Sequence, residues 1–211
     1  MTDDNNRIAK EGVGIIFVSA VAMLFSLYFS TALGLVLLAW VFFCLYFFRN
    51  PKRVTPTTGM IAPADGKIIF IGKARESHFL NRDMQRITIF MSPFNVHVNR
   101  APASGQVLAV DYRPGSFKAA FAPEASTLNE RTAVHLKTPS GLEVVFVQIA
   151  GWFARRIVTY ARPGDSLERG KIFGLIRFGS RMDVYLPAGL VPAVKIGEHV
   201  QAGQTVLAQK G

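Results

Sequence analysis

A chain of 211 residues has room for one ordinary domain and an appendage, and with half its residues hydrophobic, part of it is expected in lipid. The single cysteine, Cys44, excludes a disulfide framework and a cysteine-based metal site. The net charge of +10 is scattered along the chain rather than interleaved with aromatics, which sets nucleic acid aside in favour of an anionic lipid surface.

Residues 12–48 contain no charged side chain. As one helix this run would be roughly 55 Å long, well beyond the ~30 Å hydrocarbon core. Two shorter helices with a turn near Tyr28-Phe29-Ser30-Thr31 fit better than one strongly tilted span. Arg7 and Lys10 precede the run, and Arg49, Lys52 and Arg53 follow it. Basic residues at both ends place both on the cytoplasmic side of the cell (inner) membrane, which an even number of crossings allows. The run is too long for a cleaved signal peptide and has no small-residue cleavage site at the right distance. Pro51 and Pro56 mark the exit, so residues 1–53 read as a membrane anchor and 54–211 as a domain on the cytoplasmic face.

That domain reads as short strands and turns. Apolar, β-rich runs cover 67–71, 87–91, 106–110, 133–136, 143–149, 172–178, 183–186 and 205–208, separated by Gly, Pro, Asn and Asp. No long stretch has a 3.6-residue period, so helices here should be short. Two internal echoes stand out. Gly164-Asp165-Ser166-Leu167-Glu168-Arg169-Gly170 returns as Gly197-Glu198-His199-Val200-Gln201-Ala202-Gly203, a pattern suited to turns needing φ > 0 at glycine. Ala62-Pro63-Ala64-Asp65-Gly66-Lys67-Ile68 pairs with Ala101-Pro102-Ala103-Ser104-Gly105-Gln106-Val107. Such echoes resemble the barrel-sandwich hybrid of lipoyl and biotinyl carrier domains. The expected fold is therefore mostly β, an antiparallel barrel-sandwich-hybrid-like domain preceded by an α-helical transmembrane hairpin. A carrier would need a lysine at a hairpin tip, for which Lys195 is the faint candidate.

Three segments carry potential chemistry: Ala62-Pro63-Ala64-Asp65-Gly66, Met91-Ser92-Pro93-Phe94-Asn95-Val96-His97-Val98-Asn99-Arg100-Ala101-Pro102, and Phe178-Gly179-Ser180. Singly, Asp65-Gly66 and Gly179-Ser180 are turn pairs and His97 is a core histidine. Together they supply Asp65, His97 and Ser180. No metal-ligand cluster, phosphate loop or Gly-x-Ser-x-Gly elbow accompanies them, so no metal is expected. An acid, a base and a hydroxyl could form a hydrolytic triad, but Ser180 follows Gly179 inside a strand-like run rather than at an elbow.

In this order the three segments resemble the short form of the phosphatidylserine decarboxylase proenzymes. Tyr112-Arg113-Pro114-Gly115, Asn129-Glu130-Arg131 and Gln148-Ile149-Ala150-Gly151 match as well, and the resemblance covers roughly residues 57–211. It implies a zymogen that cuts itself at the Gly179-Ser180 bond into a large chain, 1–179, and a small chain, 180–211. Ser180 would become a covalent pyruvoyl group, the cofactor, and form a Schiff base with the serine amine of phosphatidylserine. Decarboxylation to phosphatidylethanolamine, a step of phospholipid biosynthesis, would follow. His97 would take the Ser180 hydroxyl proton and later return one to the substrate, and Asp65 would orient His97. Long-form members carry a second histidine three residues after the first; here that position is Arg100, so the base for self-cleavage is His97 or unassigned. The implied partners are phosphatidylserine in the membrane, the two chains of one precursor and an anionic lipid surface, with a homodimer left open. Two other readings leave the chain uncut: a non-catalytic membrane-tethered adaptor with a lipoyl-like fold, and a membrane-anchored serine hydrolase. His78, His135 and His199 sit in no matching motif and read as surface or structural.

Overall fold

The structure, a computed structural model, describes residues 6–118, 125–151, 156–177 and 180–211, and the chain divides into two units, 3–52 and 53–211.

In the first unit, α1 (Lys10–Leu27) and α2 (Thr31–Phe47) are separate helices. The break falls where the aromatic-polar stretch places it: Tyr28 and Phe29 close the last turn of α1, and the Ser30 hydroxyl accepts from the Leu33 N–H to start α2. Glycines let the pair approach. A Cβ at Gly34 would lie 2.2 Å from the Leu27 side chain, and one at Gly12 2.3 Å from Phe48. The Trp40 indole donates to Ser19 Oγ at 3.1 Å between the helices. The two ends of the hairpin meet, with Ala9 N–H on the Phe48 carbonyl at 2.8 Å and Asn50 N–H on that of Arg7 at 2.7 Å. Phe17, Phe25, Leu35 and Val36 point outward. At about 27 Å, α1 is long and apolar enough to cross a membrane; α2 is a shorter apolar helix.

The second unit is built from strands. In chain order these are β1 (Met60–Ile61), β2 (Gly66–Glu76), β3 (Arg82–Met91), β4 (Val98–Arg100), β5 (Gly105–Arg113), β6 (Arg131–Lys137), β7 (Glu143–Ala150), β8 (Arg156–Thr159), β9 (Ser166–Leu167), β10 (Ile172–Arg177), β11 (Ser180–Leu186), β12 (Leu190–Pro192), β13 (His199–Val200) and β14 (Val206–Lys210), with one short helix, α3 (Ala125–Leu128), before β6. An eight-stranded antiparallel sheet runs β13-β2-β3-β11-β7-β6-β5-β9, accompanied by two three-stranded sheets, β1-β14-β12 and β4-β10-β8. Each of the eight apolar runs falls on one of these strands, with β14 starting one residue into the 205–208 run; Phe178, at the end of the 172–178 run, is outside the described residues. The main core takes Ile68, Ile89, Phe146, Phe173, Met182 and Val184, and a smaller cluster on the other side of the large sheet takes Met84, Val145, Ile149 and Tyr185.

The echoes in the sequence are a pseudo-twofold interlock in space. Ala62 donates to the Thr205 carbonyl and accepts from Gly203 N–H; Ala101 donates to Lys171 and accepts from Gly170. The two copies then clasp each other, Ile61 N–H on the Pro102 carbonyl at 3.0 Å and Arg100 N–H on that of Pro63 at 2.9 Å. Gly170 and Gly203, at φ 84° and 78°, make the turns that side chains resist. This clasp brings the Asp65 turn beside the strand that follows His97.

Candidate active site

Ser180 opens β11, a strand hydrogen-bonded on both sides. It stands opposite Met91 of β3 and Ala150 of β7. Alternation sends Ser180, Met182 and Val184 to one face of the sheet and Arg181, Asp183 and Tyr185 to the other. The Ser180 hydroxyl is buried and donates to Met91 Sδ at 3.2 Å. A thioether is a weak acceptor, so it holds the proton without competing strongly with a base. On the opposite face Arg181 donates to Asp183 Oδ1 at 2.9 Å and also contacts the Ser126 hydroxyl, which donates to Asp183 Oδ2 at 2.7 Å. These buried pairs fix the strand that carries Ser180. The Gly179-Ser180 bond expected to be cut begins at a residue outside the described set.

His97 is positioned by the turn before it. The Asn95 carboxamide oxygen accepts from Ser92 N–H at 2.8 Å and from Ser92 Oγ at 2.9 Å, and Asn95 N–H closes back on the Ser92 carbonyl. The carbonyl of Asn95 so held lies 3.0 Å from His97 Nδ1. With the Nδ1 proton donated there, Nε2 keeps the lone pair and is the basic nitrogen. The His97 carbonyl accepts from Ile176 N–H, which ties His97 to β10, the strand leading toward Ser180.

Asn99 and Gln148 are part of the same buried region, and the sequence reading gave them no role. Ser180, His97, Asn99 and Gln148 are each 0% exposed. Gln148 Nε2 donates to Asn99 Oδ1 at 2.8 Å, Thr159 Oγ donates to Gln148 Oε1 at 2.6 Å, and Asn99 Nδ2 faces Met91 Sδ at 3.9 Å. A signal was present: Asn99 follows His97 by two, the strand repeat, and Gln148 is an inward-facing polar residue in an otherwise apolar strand.

Asp65 is also buried, but its described partners are elsewhere. Its carboxylate receives Arg53 Nη2 at 3.0 and 2.7 Å and the Ala202 N–H at 2.7 Å. No hydrogen bond joins it to His97 among the described residues; the Pro63 carbonyl, two residues before Asp65, meets Arg100 N–H, three residues after His97. Arg100, at the position of the absent second histidine, spans to the Gly170 carbonyl at 2.9 Å. Asn129 clamps the neighbourhood of Ser180 from the Ala150 side: its amide donates to the carbonyls of Ala150 and Lys118, both at 2.8 Å. Lys195 is exposed in the turn before β13, its N–H on Glu198. His78 and His135 are held at buried structural positions, and His199 is exposed on β13.

No group of three or more His, Cys, Asp or Glu among the described residues could hold a metal ion. The Ser180 hydroxyl is buried at the start of a central strand, Asn99 Nδ2 faces the same Met91 sulfur, and the His97 carbonyl is tied to β10; a hydroxyl, an imidazole and amide donors are the groups that acyl chemistry on the chain itself and proton transfer beside it require.

Known proteins resemble this chain over most of its length. The family model described as phosphatidylserine decarboxylase matches residues 40–208. Among curated relatives, the phosphatidylserine decarboxylase proenzyme of Geotalea uraniireducens (strain Rf4) is 43% identical over 210 residues, 98% of each chain. The one from Geobacter sp. (strain M21) is 47% identical over 216 residues, again 98% of each. That of Mycobacterium leprae (strain TN) is 54% identical over 170 residues, 78% of this chain and 70% of the relative. The chain belongs to the phosphatidylserine decarboxylase family.

Proposed function

We propose that this chain is a membrane-anchored proenzyme that cuts itself at Gly179-Ser180 and decarboxylates phosphatidylserine to phosphatidylethanolamine. The observation that carries the reading is Ser180 itself: a buried serine at the head of the central strand, its hydroxyl lodged on a thioether, with a buried His97 tied through its carbonyl to β10, the strand that precedes it.

Self-cleavage needs only this chain's own groups. The Ser180 Oγ proton passes to His97 Nε2 as Oγ bonds to the Gly179 carbonyl carbon; the Gly179-Ser180 C–N bond then breaks and its nitrogen takes a proton, leaving an ester. His97 Nε2, neutral again once its proton has passed to that nitrogen, takes the Ser180 Cα proton as the Cβ–Oγ bond breaks and the Gly179 carboxylate leaves. Water replaces the nitrogen as ammonia leaves, and a carbonyl remains at the head of β11. The residues fit such a group: it is uncharged, and the position is buried against Met91. A pyruvoyl group at that position would supply a carbonyl able to hold the substrate amine and an electron sink for the pair left as carbon dioxide departs. His97 Nε2 returns a proton to the carbon that lost it. Asp65 supports His97 through the clasp between its turn and the strand of Arg100.

Cutting before Ser180 leaves the two chains joined. β11 remains paired with β3 and β7, β13 with β2, and β14 with β1, while Ala202 stays on Asp65. The apolar hairpin and the basic residues that flank it support a location at the inner membrane with the catalytic unit on the cytoplasmic face, where its positive charge would favour anionic lipid. Incubation of the purified chain with phosphatidylserine vesicles tests the activity. Phosphatidylethanolamine should accumulate with the native chain and not with Ser180→Ala.

A further inference from the structure

Two sheets meet at the residues behind Ser180 in a way that the self-cleavage scheme does not use. In the β4-β10-β8 sheet, Asn99 and Thr159 flank Gly174 from either side. Gln148, from the large sheet, lays its carboxamide across that glycine and bridges the two. A Cβ at Gly174 would come within 2.8 Å of Gln148 Nε2 and 3.3 Å of Oε1, so the absent side chain makes room for the bridge. The result is a file of buried dipoles from Thr159 through Gln148 to Asn99, ending at Met91 Sδ, the atom that also holds the Ser180 hydroxyl.

The direction of the file follows from its end. Turned the other way, Asn99 would present its carbonyl oxygen to the Met91 sulfur, and two groups of lone pairs would face each other in a dry core. A thioether accepts and does not donate, so the Asn99 N–H is the end that faces the Met91 sulfur, on which the Ser180 hydroxyl also rests. Gln148 then donates to Asn99 Oδ1, and the Thr159 hydroxyl donates to Gln148 Oε1, each step polarising the next. At 3.9 Å the sulfur makes little use of a buried amide donor.

We propose that Asn99 is a catalytic residue of self-cleavage: its Nδ2–H donates to the Gly179 carbonyl oxygen as the Ser180 hydroxyl attacks that carbonyl. In this step the Oγ–C bond forms, the carbonyl electron pair moves onto the oxygen, and the Oγ proton leaves to His97. Collapse restores the carbonyl, breaks the C–N bond and delivers a proton to the Ser180 nitrogen. Charge is on the oxygen only between these two events, and a donor oriented beforehand stabilises it without reorganising. Gln148 and Thr159 are positioning residues that hold the amide in the donating orientation. The inference rests on the reading of Ser180 as the self-cleaving residue.

The test follows the cutting of full-length chain made by cell-free synthesis in detergent, with and without hydroxylamine, which cleaves an ester at neutral pH but not an amide. Asn99→Leu keeps the branched shape and removes the donor. Asn99→Leu/Gln148→Leu does the same without stranding the Gln148 amide, since replacing both partners of a buried pair is far milder than replacing one. Both should be cut on the order of 10²–10³ times more slowly than the native chain, the usual loss for one oxyanion donor. Hydroxylamine should not restore the cut, because the ester does not form. Thr159→Val should slow cutting less than either. Cutting of the double variant within about threefold of native overturns the inference, as does rescue of either variant by hydroxylamine, since the acyl shift would then proceed without the amide. A native chain that stays whole would instead remove the reading of Ser180 on which the inference stands.

Discussion

Arg53 holds Asp65. One guanidinium nitrogen of Arg53 reaches both carboxylate oxygens, at 2.7 and 3.0 Å, and both side chains are buried. Arg53 also donates to Gln204 at 3.1 Å, and Asp65 accepts from Ala202 N–H. The pair therefore joins the first residue of the strand-built unit to the segment that follows Ser180. Removing one partner leaves the other buried without compensation, so Arg53→Ala should lower stability by about 3–5 kcal/mol, and Arg53→Lys by less. Denaturant unfolding measures this. It also decides where the anchor can be cut away: a chain beginning at Arg53 should process itself, and one beginning at Val54 should be poorly folded. Equal behaviour of the two truncations would show that the pair is dispensable.

His97 should serve both halves of the chemistry. Arg100 cannot replace it, because a guanidinium stays protonated near neutral pH and this one is spent on the Gly170 carbonyl. Both oxygens of Asp65 are engaged as acceptors. His97→Ala should therefore lose self-cleavage and decarboxylation together, whereas Asp65→Asn should lower folded yield as well as cutting. A denaturing gel of the two variants beside native chain gives the comparison. Full cutting in His97→Ala, with turnover lost, would confine His97 to the decarboxylation step.

Two other histidines make folding sensitive to acid. His78 Nδ1 lies 2.9 Å from Asp111, yet burial lowers its pKa, helped by Arg113 and Arg131, against the hydrogen bond and charge of Asp111. Burial likewise lowers His135, which stacks on Phe79, with Arg82 adding to the shift and Glu143 and Glu76 opposing it. In the unfolded chain each imidazole takes its proton near pH 6.5, while the folded form resists it. Acid therefore favours unfolding, and stability should fall as pH drops below about 6.5. Thermal midpoints between about pH 7.5 and 5 should decline, with a shallower slope in His78→Gln and in His135→Gln. A midpoint that rises on acidification would contradict this. Asp111, also lowered, acts in a separate window below its usual 3.8.

Much of this architecture is visible in the sequence because it repeats. The break at 28–30 follows from a hydrophobic run too long for one crossing, and the two Gly-acid-x-apolar-x-x-Gly turns read directly as positive-φ corners. What escapes is polar and non-local. β11 begins at Ser180, three residues before the apolar run suggests, because Arg181 and Asp183 neutralise each other inside the protein. β4 and β8 are three and four residues long and carry Asn99, Arg100 and Arg156, so no alternation marks them. The link of Gln148 to Asn99 joins positions 49 residues apart on different sheets, and nothing local announces it. Asp65 shows the converse: the motif identifies the residue, but only the structure shows that Arg53 and Ala202 hold it.

Self-cleavage before Ser180 is read from the intact mass of the purified protein. Two species should co-purify under native conditions: a large chain ending at Gly179, and a small chain comprising 180–211 that is lighter than its sequence by one ammonia and reacts with a carbonyl reagent. Ser180→Ala should give one uncut chain, and Ser180→Cys or Ser180→Thr slow cutting, since each keeps a nucleophile. A single native species with the full mass of 211 residues, or cutting at the same bond in Ser180→Ala, would contradict it.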